Sequence, residues 1–132
     1  MTRDMDLVRK ILLALEQKEP PTTTEFLRID DYPSDIVAQH CEMMYQHGLI
    51  QQFNAQKTFG GFGLWEVGGI TWEGYDYLDS IRDDSIWAKT KDAIKKKGLP
   101  MIVDTIKTVS SAFITSAANG LAQAIIKNGG VI

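Results

Sequence analysis

His40, Cys41 and His47 are the residues whose chemistry first suggests a site, because imidazoles and a thiolate can together hold a transition metal. Two histidines seven residues apart would share one face of a helix. Metal pairs on a helix prefer spacings of three or four, however, and Cys41 points about 100° away from His40. No CxxC or HExxH motif accompanies them. We therefore expect no metal and no cofactor, and interpret the histidines as buried or partner-facing.

Four aspartates are the second candidate, since carboxylates can hold a cation or act as acid and base. General acid–base chemistry needs groups whose environments push their pKa values apart. A run along one predicted helix does not supply that difference, and no serine or cysteine shows the surroundings of a catalytic triad. The pattern is typical of a solvated face and predicts a protein that is not an enzyme. The run consists of Asp76, Asp79, Asp83 and Asp84.

The charge of the chain is divided unevenly along its length. Residues 1–88 carry a net charge of −8, whereas residues 89–132 carry +5. An acidic body repels phosphate backbones, so any affinity for nucleic acid would depend on the basic tail. The lone Cys41 excludes an internal disulfide, and the charged N-terminus lacks the apolar run of a signal peptide, which together predict a cytoplasmic protein. The basic cluster comprises Lys89, Lys91, Lys95, Lys96 and Lys97.

The elements that would position these residues centre on the stretch 33–50. Its apolar spacing predicts an amphipathic helix with Ser34 as N-cap and Gly48 at the left-handed C-terminal position. A strand at 49–53, a glycine-rich tip at 59–63 and a returning strand at 64–71 predict a β-hairpin. A short helix followed by a hairpin with a long tip is the pattern of a winged-helix domain.

The rest of the chain is predicted to be mainly helical. The spacing indicates a helix over 4–18, a brief strand over 25–29, and a long helix capped by Thr71 that is interrupted near 83–85, where Asp84 could cap a second segment ending at Gly98. We therefore predict an α+β fold with a winged-helix-like domain at 3–98. A C-terminal helix, opened by Pro100, would occupy most of 99–132.

The C-terminal helix contains 19 residues without a charge, from 108 to 126. Length alone would make it a membrane-spanning candidate, but its serines, threonines, Asn119 and Gln123 dilute the apolar content. Small residues at Ser116, Gly120 and Ala124 would let a second helix approach closely. The apolar stripe needs a covering surface, which is its own domain, a second copy of the chain or a lipid interface. The stripe consists of Ile102, Ile106, Val109, Phe113, Ala117, Leu121 and Ile125.

Two sets of residues could face a partner. In a DNA-binding winged helix the 33–47 helix would enter the major groove, but this helix carries two acidic residues and no Lys or Arg. Aromatic residues around the glycines of the wing favour protein contacts instead, unless Trp65 and one phenylalanine fold onto the core. The helix set is Ser34, Gln39, His40, Met43, Gln46 and His47, and the wing set is Lys57, Phe59, Phe62 and Trp65.

Three segments resemble a known family: RDMDLVRKILLALE, the helix ending in HGLI, and above all ITWEGYDYLDSIRDDSIWAKTK. The sequence is similar over about residues 3–97 to small uncharacterised bacterial and prophage proteins known only as a domain of unknown function. That resemblance implies a winged-helix-like fold encoded in phage or mobile elements, with no assigned activity. It offers no catalytic residues.

We expect a non-enzymatic interaction module of phage or mobile-element origin. It would self-associate through the C-terminal helix and bind a protein partner through the 33–47 helix and the wing. A DNA-binding regulator is the first alternative. The second is a membrane-active protein whose Lys95–Lys97 lie at an anionic surface while the C-terminal helix embeds beside them.

Overall fold

The computed structural model describes residues 2–18 and 22–127, and within them it is an α+β protein with five helices and one small three-stranded antiparallel sheet. The chain divides into two compact units, residues 1–78 and 79–132. The division falls within the third helix, so the fourth helix, which the sequence pattern placed in the first domain, groups with the fifth. The elements are α1 (Met5–Glu16), β1 (Thr24–Glu25), α2 (Ser34–Gln46), β2 (Ile50–Thr58), β3 (Gly61–Ile70), α3 (Trp72–Ile81), α4 (Asp84–Lys97) and α5 (Val103–Lys127).

The sheet of the first unit has the order β1-β3-β2, with β2 and β3 forming the predicted hairpin. The pairing runs from Ile50 opposite Ile70 to Thr58 opposite Gly61, with a register shift between Ala55 and Lys57. Both arms are longer than the predicted 49–53 and 64–71, so the tip is reduced to a tight turn. The hairpin therefore extends well beyond its buried base.

The brief strand predicted over 25–29 is wrong beyond its first residue. Only Thr24 and Glu25 pair with β3, opposite Val67 and Glu66. Phe26 then takes a φ of 47°, in the left-handed backbone region that residues other than glycine and asparagine rarely adopt. A strand cannot continue through that conformation, and the chain turns away from the sheet.

Helix α1 packs its apolar face into the core of the first unit. Asp4 caps it by accepting a hydrogen bond from the Leu7 backbone N–H at 3.1 Å, so the helix begins one residue later than predicted. The buried apolar side chains of the first unit come from both helices and from the sheet. They include Leu7, Val8, Ile11, Leu12, Leu15, Val37, Ala38, Met44, Ile50, Trp65 and Val67.

The start of helix α2 differs from its prediction, whereas its end is as predicted. Pro33, not Ser34, is the N-cap, and it provides no side-chain hydrogen bond. The Ser34 hydroxyl instead accepts a hydrogen bond from the Trp65 indole N–H at 3.3 Å. At the C-terminus Gly48 has a φ of 85°, which confirms the left-handed position predicted there.

Thr71 joins the ends of α2, β3 and α3. Its hydroxyl donates to the Gly48 carbonyl and accepts from the Gly74 N–H at 2.9 Å, which confirms the predicted cap. Gly74 is needed here because a Cβ atom would press against the Leu49 carbonyl oxygen and lie 2.7 Å from Ile70 Cγ2. The glycine thus lets α3 start directly against the α2–β2 connection.

The second unit contains α4 and α5, which pack together. The interruption predicted near 83–85 is confirmed, but the cap is Asp83, which accepts from the Ile86 N–H at 2.9 Å, rather than Asp84. Gly98, with a φ of 65°, ends α4 as predicted. Helix α5 starts at Val103 instead of Pro100 and is described to Lys127; the remaining predicted residues, 128–132, lie outside the described part of the chain.

Candidate interaction surfaces

His40 lies in the core and is fully buried. Its Nε2 accepts a hydrogen bond from the Asp4 backbone N–H at 2.9 Å, and its Nδ1 lies 2.8 Å from the Ile36 carbonyl oxygen, to which it donates in the matching neutral tautomer. Both ring nitrogens are therefore engaged in joining α1 to α2. The prediction that His40 contacts a partner is corrected: its side chain is not available to one. His47 lies at the exposed end of α2, so the two imidazoles do not share a site.

The other described side chains that could take part in chemistry do not come together in one site. Burial raises the pKa of the Cys41 thiol to about 12, which keeps it protonated and unreactive. Asp79 pairs with Arg82 at 2.7 Å on the surface. Within residues 2–18 and 22–127, no three His, Cys, Asp or Glu side chains come together in a way that could hold a metal ion.

A shallow groove of about 320 Å³ lies between α2 and β2. Lys57 forms an ion pair with Glu42, with Nζ and Oε2 2.8 Å apart, and its ammonium lies 5.9 Å from the centre of the Phe62 ring. Lys57 is the only Lys or Arg between Arg28 and Arg82. This lysine thus already forms an ion pair with an acidic residue of α2. The groove is lined by Glu42, Tyr45, Gln46, Phe53, Asn54, Ala55 and Lys57.

The wing aromatics separate into three environments. Trp65 is buried, stacked edge-on with Phe26 at a centroid distance of 6.2 Å, so the prediction that it contacts a partner is corrected. Phe62 is half-buried and meets Phe53 edge-on at 6.2 Å. Phe59 alone of the predicted set is fully exposed, at the turn of the hairpin. A period-two strand pattern could have separated Trp65 from its neighbours, because alternate residues face opposite sides.

The other α2 candidates lie at or near the surface. Ser34, Gln46 and His47 are exposed, and Gln39 and Met43 are half-buried. Together with Phe59, Phe62 and Lys57 they leave a mixed, weakly charged surface along α2 and the hairpin.

Two exposed aromatics on α3 were missed by the sequence reasoning. Trp72 is 80% exposed and Tyr75 is 42% exposed, three residues further along the same helix face. Both belong to the TWEGY stretch, which was read as the start of a helix with Tyr75 on its apolar face. The α3 residues that are buried are Gly74, Tyr77, Leu78, Ser80 and Ile81, which puts Trp72 and Tyr75 on the opposite side. A helical projection of the whole segment would have shown this.

The basic cluster lies on α4 and is partly paired. Lys96 Nζ lies 3.0 Å from Asp92, and the Lys91 ammonium lies 5.2 Å from the centre of the Trp87 ring. Lys95, Lys96 and Lys97 occupy the last turn, where cations complement the helix dipole. Lys89, Lys95, Lys96 and Lys97 are exposed.

Helix α5 is covered over its first half and bare over its second. Ile106 and Ser110 are buried, as are Trp87, Thr90 and Ile94 of α4, and Phe113 and Val109 are half-buried. The prediction that Ile106 is free for self-association is therefore corrected, because it belongs to the core of the second unit. From Ile114 to Lys127 every residue is exposed, including Leu121 at 64% and Ile126 at 68%. We call residues 114–127 the overhang.

The overhang has two unlike faces. Leu121 and Ala117 continue the apolar face that Ile106 and Ser110 begin, because they recur at intervals of three and four. A second side is uncharged and mostly polar, and Ile126 lies on it near the end of the helix. This side is lined by Thr115, Ser116, Asn119, Gly120 and Gln123, and Ala112 precedes them. By length and composition, Val103–Lys127 is the one helix in the described residues that could cross a membrane, with a mean hydropathy of 1.3 over its most apolar 18 residues.

The sequence matches the family model described as "Hypothetical protein (DUF2513)" over residues 2–100. The match covers most of the chain, and the protein belongs to this family. It includes α1 to α4 and ends before α5 begins.

The chain is also similar to an uncharacterized protein from Haemophilus influenzae (strain ATCC 51907 / DSM 11121 / KW20 / Rd). The two are 33% identical over 116 residues, which cover 87% of this chain and 97% of that protein. An alignment of that extent must include the beginning of α5. No solved structure matches the chain significantly.

Proposed function

We propose that this protein is a cytoplasmic, non-enzymatic interaction module that self-associates through α5 and binds a protein partner through α2 and the hairpin. The first unit is interpreted as winged-helix-like, and an origin in phage or mobile elements is proposed from the sequence resemblance. The mechanism is occlusion or scaffolding by surface complementarity, without a chemical step.

The observation that carries self-association is the uncovered overhang of α5. Monomeric proteins rarely expose a continuous apolar stripe, and an isolated helix of this length gains most of its stability from packing. The overhang carries Leu121, with Ile114 and Ile125 beside it, on a segment without any charge before Lys127. A second copy of the chain carries the same apolar stripe, so it could cover this one.

A protein partner is favoured over DNA by the charges of the first unit. Residues 1–78 carry 6 basic and 12 acidic side chains. Non-specific DNA affinity depends on phosphate contacts from Lys and Arg, and Lys57, the one cation of α2 and the hairpin, forms an exposed ion pair with Glu42. A DNA-binding regulator remains the alternative, and it predicts binding that falls steeply with salt and weakens when Lys95, Lys96 and Lys97 are replaced by alanine.

The test of self-association is sedimentation equilibrium of the full chain and of two matched variants. Leu121→Asp places a charge on the apolar stripe, whereas Asn119→Asp places the same charge on the polar face two residues away. We expect the wild type and Asn119→Asp to exceed the monomer mass and Leu121→Asp to be monomeric. A wild type that stays monomeric at all accessible concentrations would refute the proposal.

The membrane alternative is favoured by one observation, the length and hydropathy of α5. The 16 uncharged residues from 111 to 126 that lie beyond the buried part of α5 span roughly 24 Å, less than a hydrocarbon core of about 30 Å. A full span of about 20 residues would have to extend back to about residue 107 and so detach Ser110 from the core of the second unit. Recovery of the protein with phosphatidylcholine–phosphatidylglycerol vesicles would support this alternative, and recovery in the supernatant would exclude it.

A further inference from the structure

We infer that the groove between α2 and β2 takes an extended, basic segment of a protein partner, which adds to the three-stranded sheet at the free edge of β2. This inference rests on the proposed binding of a protein partner through α2 and the hairpin, and it names how that partner is held. It follows from the unpaired edge of β2, from the position of the groove along that edge, and from the charge of the first unit.

Strand β2 lies at an edge of the sheet. In the order β1-β3-β2 it pairs with β3 on one side, and none of the described residues forms a backbone hydrogen bond with its other side. Alternate amide and carbonyl groups of β2 therefore point away from the sheet, and such a row of groups is a template for another strand. Residues 50–55 share one register with β3, which leaves an edge for a segment of about six residues.

This part of the edge lacks the features that usually prevent strand pairing. Proline, lysine and β-bulges protect the edge strands of natural proteins. Strand β2 contains no proline, and its one charged residue, Lys57, lies near its far end. The register shift between Ala55 and Lys57 lies there as well. Residues 50–55 are therefore open to pairing with a partner strand.

The groove runs along this edge and not over one face of the sheet. Phe53, Asn54 and Ala55 all line it, although the side chains of successive strand residues point to opposite faces. A groove that reaches three consecutive residues borders the backbone itself. None of the described β3 residues lines it, so it lies on the side of β2 away from β3, with α2 as its other wall.

The groove favours apolar side chains at alternate positions of the added segment. Phe53 and Ala55 are half-buried, whereas Gln52 and Asn54 are exposed, so the two faces of β2 differ. A strand paired with β2 places every second side chain on the face of Phe53. An apolar side chain there lies beside Phe53 and Tyr45, which both line the groove, and Tyr45 is 46% exposed in the free chain. Its burial against these rings stabilises the complex.

The charge of the first unit favours a segment with Lys or Arg and without acidic residues. Residues 1–78 carry 6 basic and 12 acidic side chains, so their net charge attracts a basic segment and repels an acidic one. A second copy of β2 fits the groove less well, because it brings its own α2 beside it. A groove of about 320 Å³ has room for a few side chains but not for a helix.

Selection of peptides on the full chain tests the inference. The probe is a phage-displayed library of random peptides of about ten residues, which is longer than the free edge. We expect the selected peptides to share apolar residues at alternate positions, with Lys or Arg and without Asp or Glu. A selection that yields no binding peptide, or only peptides without this alternation, would overturn the inference. Self-association is measured separately by sedimentation, so its outcome does not depend on this one.

Amide hydrogen exchange of the full chain with the tightest selected peptide shows whether the peptide adds as a strand. Amides of β2 that already bond to β3 have nothing to gain, so exchange should slow by at least about tenfold at alternate residues of 50–55 only. Uniform protection, or protection confined to α2, would overturn strand addition and leave protein binding through α2 and the hairpin intact. Protection of the same alternate amides in the free chain that grows with protein concentration would identify a second copy as the occupant, which also overturns the inference.

Two matched tyrosine variants locate the bound peptide. Tyr45 lines the groove, whereas Tyr75, with a similar exposure of 42%, lies on α3 and outside it. Tyr45→Ala should weaken binding of the selected peptide by roughly tenfold, and Tyr75→Ala by less than about twofold. Equal affinities for the two variants would place the peptide elsewhere, which overturns both this inference and the proposed surface of α2 and the hairpin.

Discussion

The two units of this protein differ in how much of their apolar surface they bury. In the first unit polar groups at the element ends are paired within the unit: Asp4 with Leu7 and Tyr32, His40 with Asp4 and Ile36, and Thr71 with Gly48 and Gly74. In the second unit α5 extends bare for 14 residues. The first unit pairs these polar groups within itself, whereas the second leaves the overhang exposed, which is the surface that we propose a second chain covers.

The largest expected effect tests the closed character of the first unit. Gly74→Ala forces a methyl group against the Leu49 carbonyl oxygen and should lower the free energy of unfolding by at least about 3 kcal/mol. Gly60→Ala is the matched control, because a Cβ atom at Gly60 meets nothing within 4 Å, and it should change stability by less than about 0.5 kcal/mol. Urea denaturation measures both. Similar stabilities for the two variants would contradict the tight α2–α3 junction.

The next effect concerns Asp4, which ties α1 to two other segments. Its carboxylate accepts from the Leu7 N–H and from the Tyr32 hydroxyl at 2.9 Å. Asp4→Ala should cost about 2 kcal/mol, the sum of a helix cap and a charged hydrogen bond. Tyr32→Phe removes only the second interaction and should cost about half as much. If the two variants are equally stable in urea, the cap at α1 contributes nothing.

The first unit should also lose stability in alkali. Burial raises the pKa of Cys41 to about 12, and the hydrogen bond to Asp4 raises the pKa of Tyr32 to about 12. Both folded-state values lie above the ordinary ones, so their contributions are complete below about pH 9 and pH 10 and disappear as the pH rises toward 12.

The slope of stability against pH measures this contribution. Cys41→Ala should flatten the decline between pH 9 and pH 12 by up to roughly 1.4 kcal/mol per pH unit, the value for one proton. An unchanged slope in this variant would mean that the thiol ionises equally in the folded and unfolded chains.

The smallest effect compares a buried threonine of α4 with an exposed threonine of α5. Thr90 is fully buried in the second unit, and its hydroxyl has no hydrogen-bond partner among the described residues. Thr90→Val should therefore raise stability by about 1 kcal/mol. Thr115→Val, on the exposed polar face, should change it by less than about 0.5 kcal/mol. A loss of stability in Thr90→Val would show that its hydroxyl is satisfied.

Local sequence signals identified several helix ends of this fold. Gly48 and Gly98 were predicted to end helices, and both have positive φ values. Thr71 was predicted to cap α3, and its hydroxyl does so. These features depend on a few neighbouring residues, so a single sequence contains the information that determines them.

The environments of individual side chains could not be predicted in the same way. Serine is a residue type that favours the N-cap position, but the Ser34 hydroxyl accepts a hydrogen bond from Trp65, 31 residues away. His40 is a partner candidate as a polar residue of the 33–47 helix, and Trp65 as an aromatic residue beside the glycines of the wing. Their polar atoms are instead paired with Asp4, Ile36 and Ser34 inside the first unit. Trp72 was not predicted to be exposed, because tryptophan is usually buried and this one is not.

The apolar stripe of α5 shows the same limit on a longer scale. Its spacing predicts one continuous face, yet in the structure Ile106 on that face is buried and Leu121 is exposed. Periodicity identifies which residues share a side of a helix. It does not identify how far a neighbouring helix reaches.

Hydrogen exchange of the full chain at two protein concentrations tests the central claim most directly. We expect the amides of residues 103–113 to be protected equally at both concentrations, because this part of α5 is anchored within one chain by the buried Ile106 and Ser110. The amides of residues 114–127 should gain protection at the higher concentration and lose that gain in Leu121→Asp. Protection of 114–127 that is independent of concentration would contradict self-association through α5.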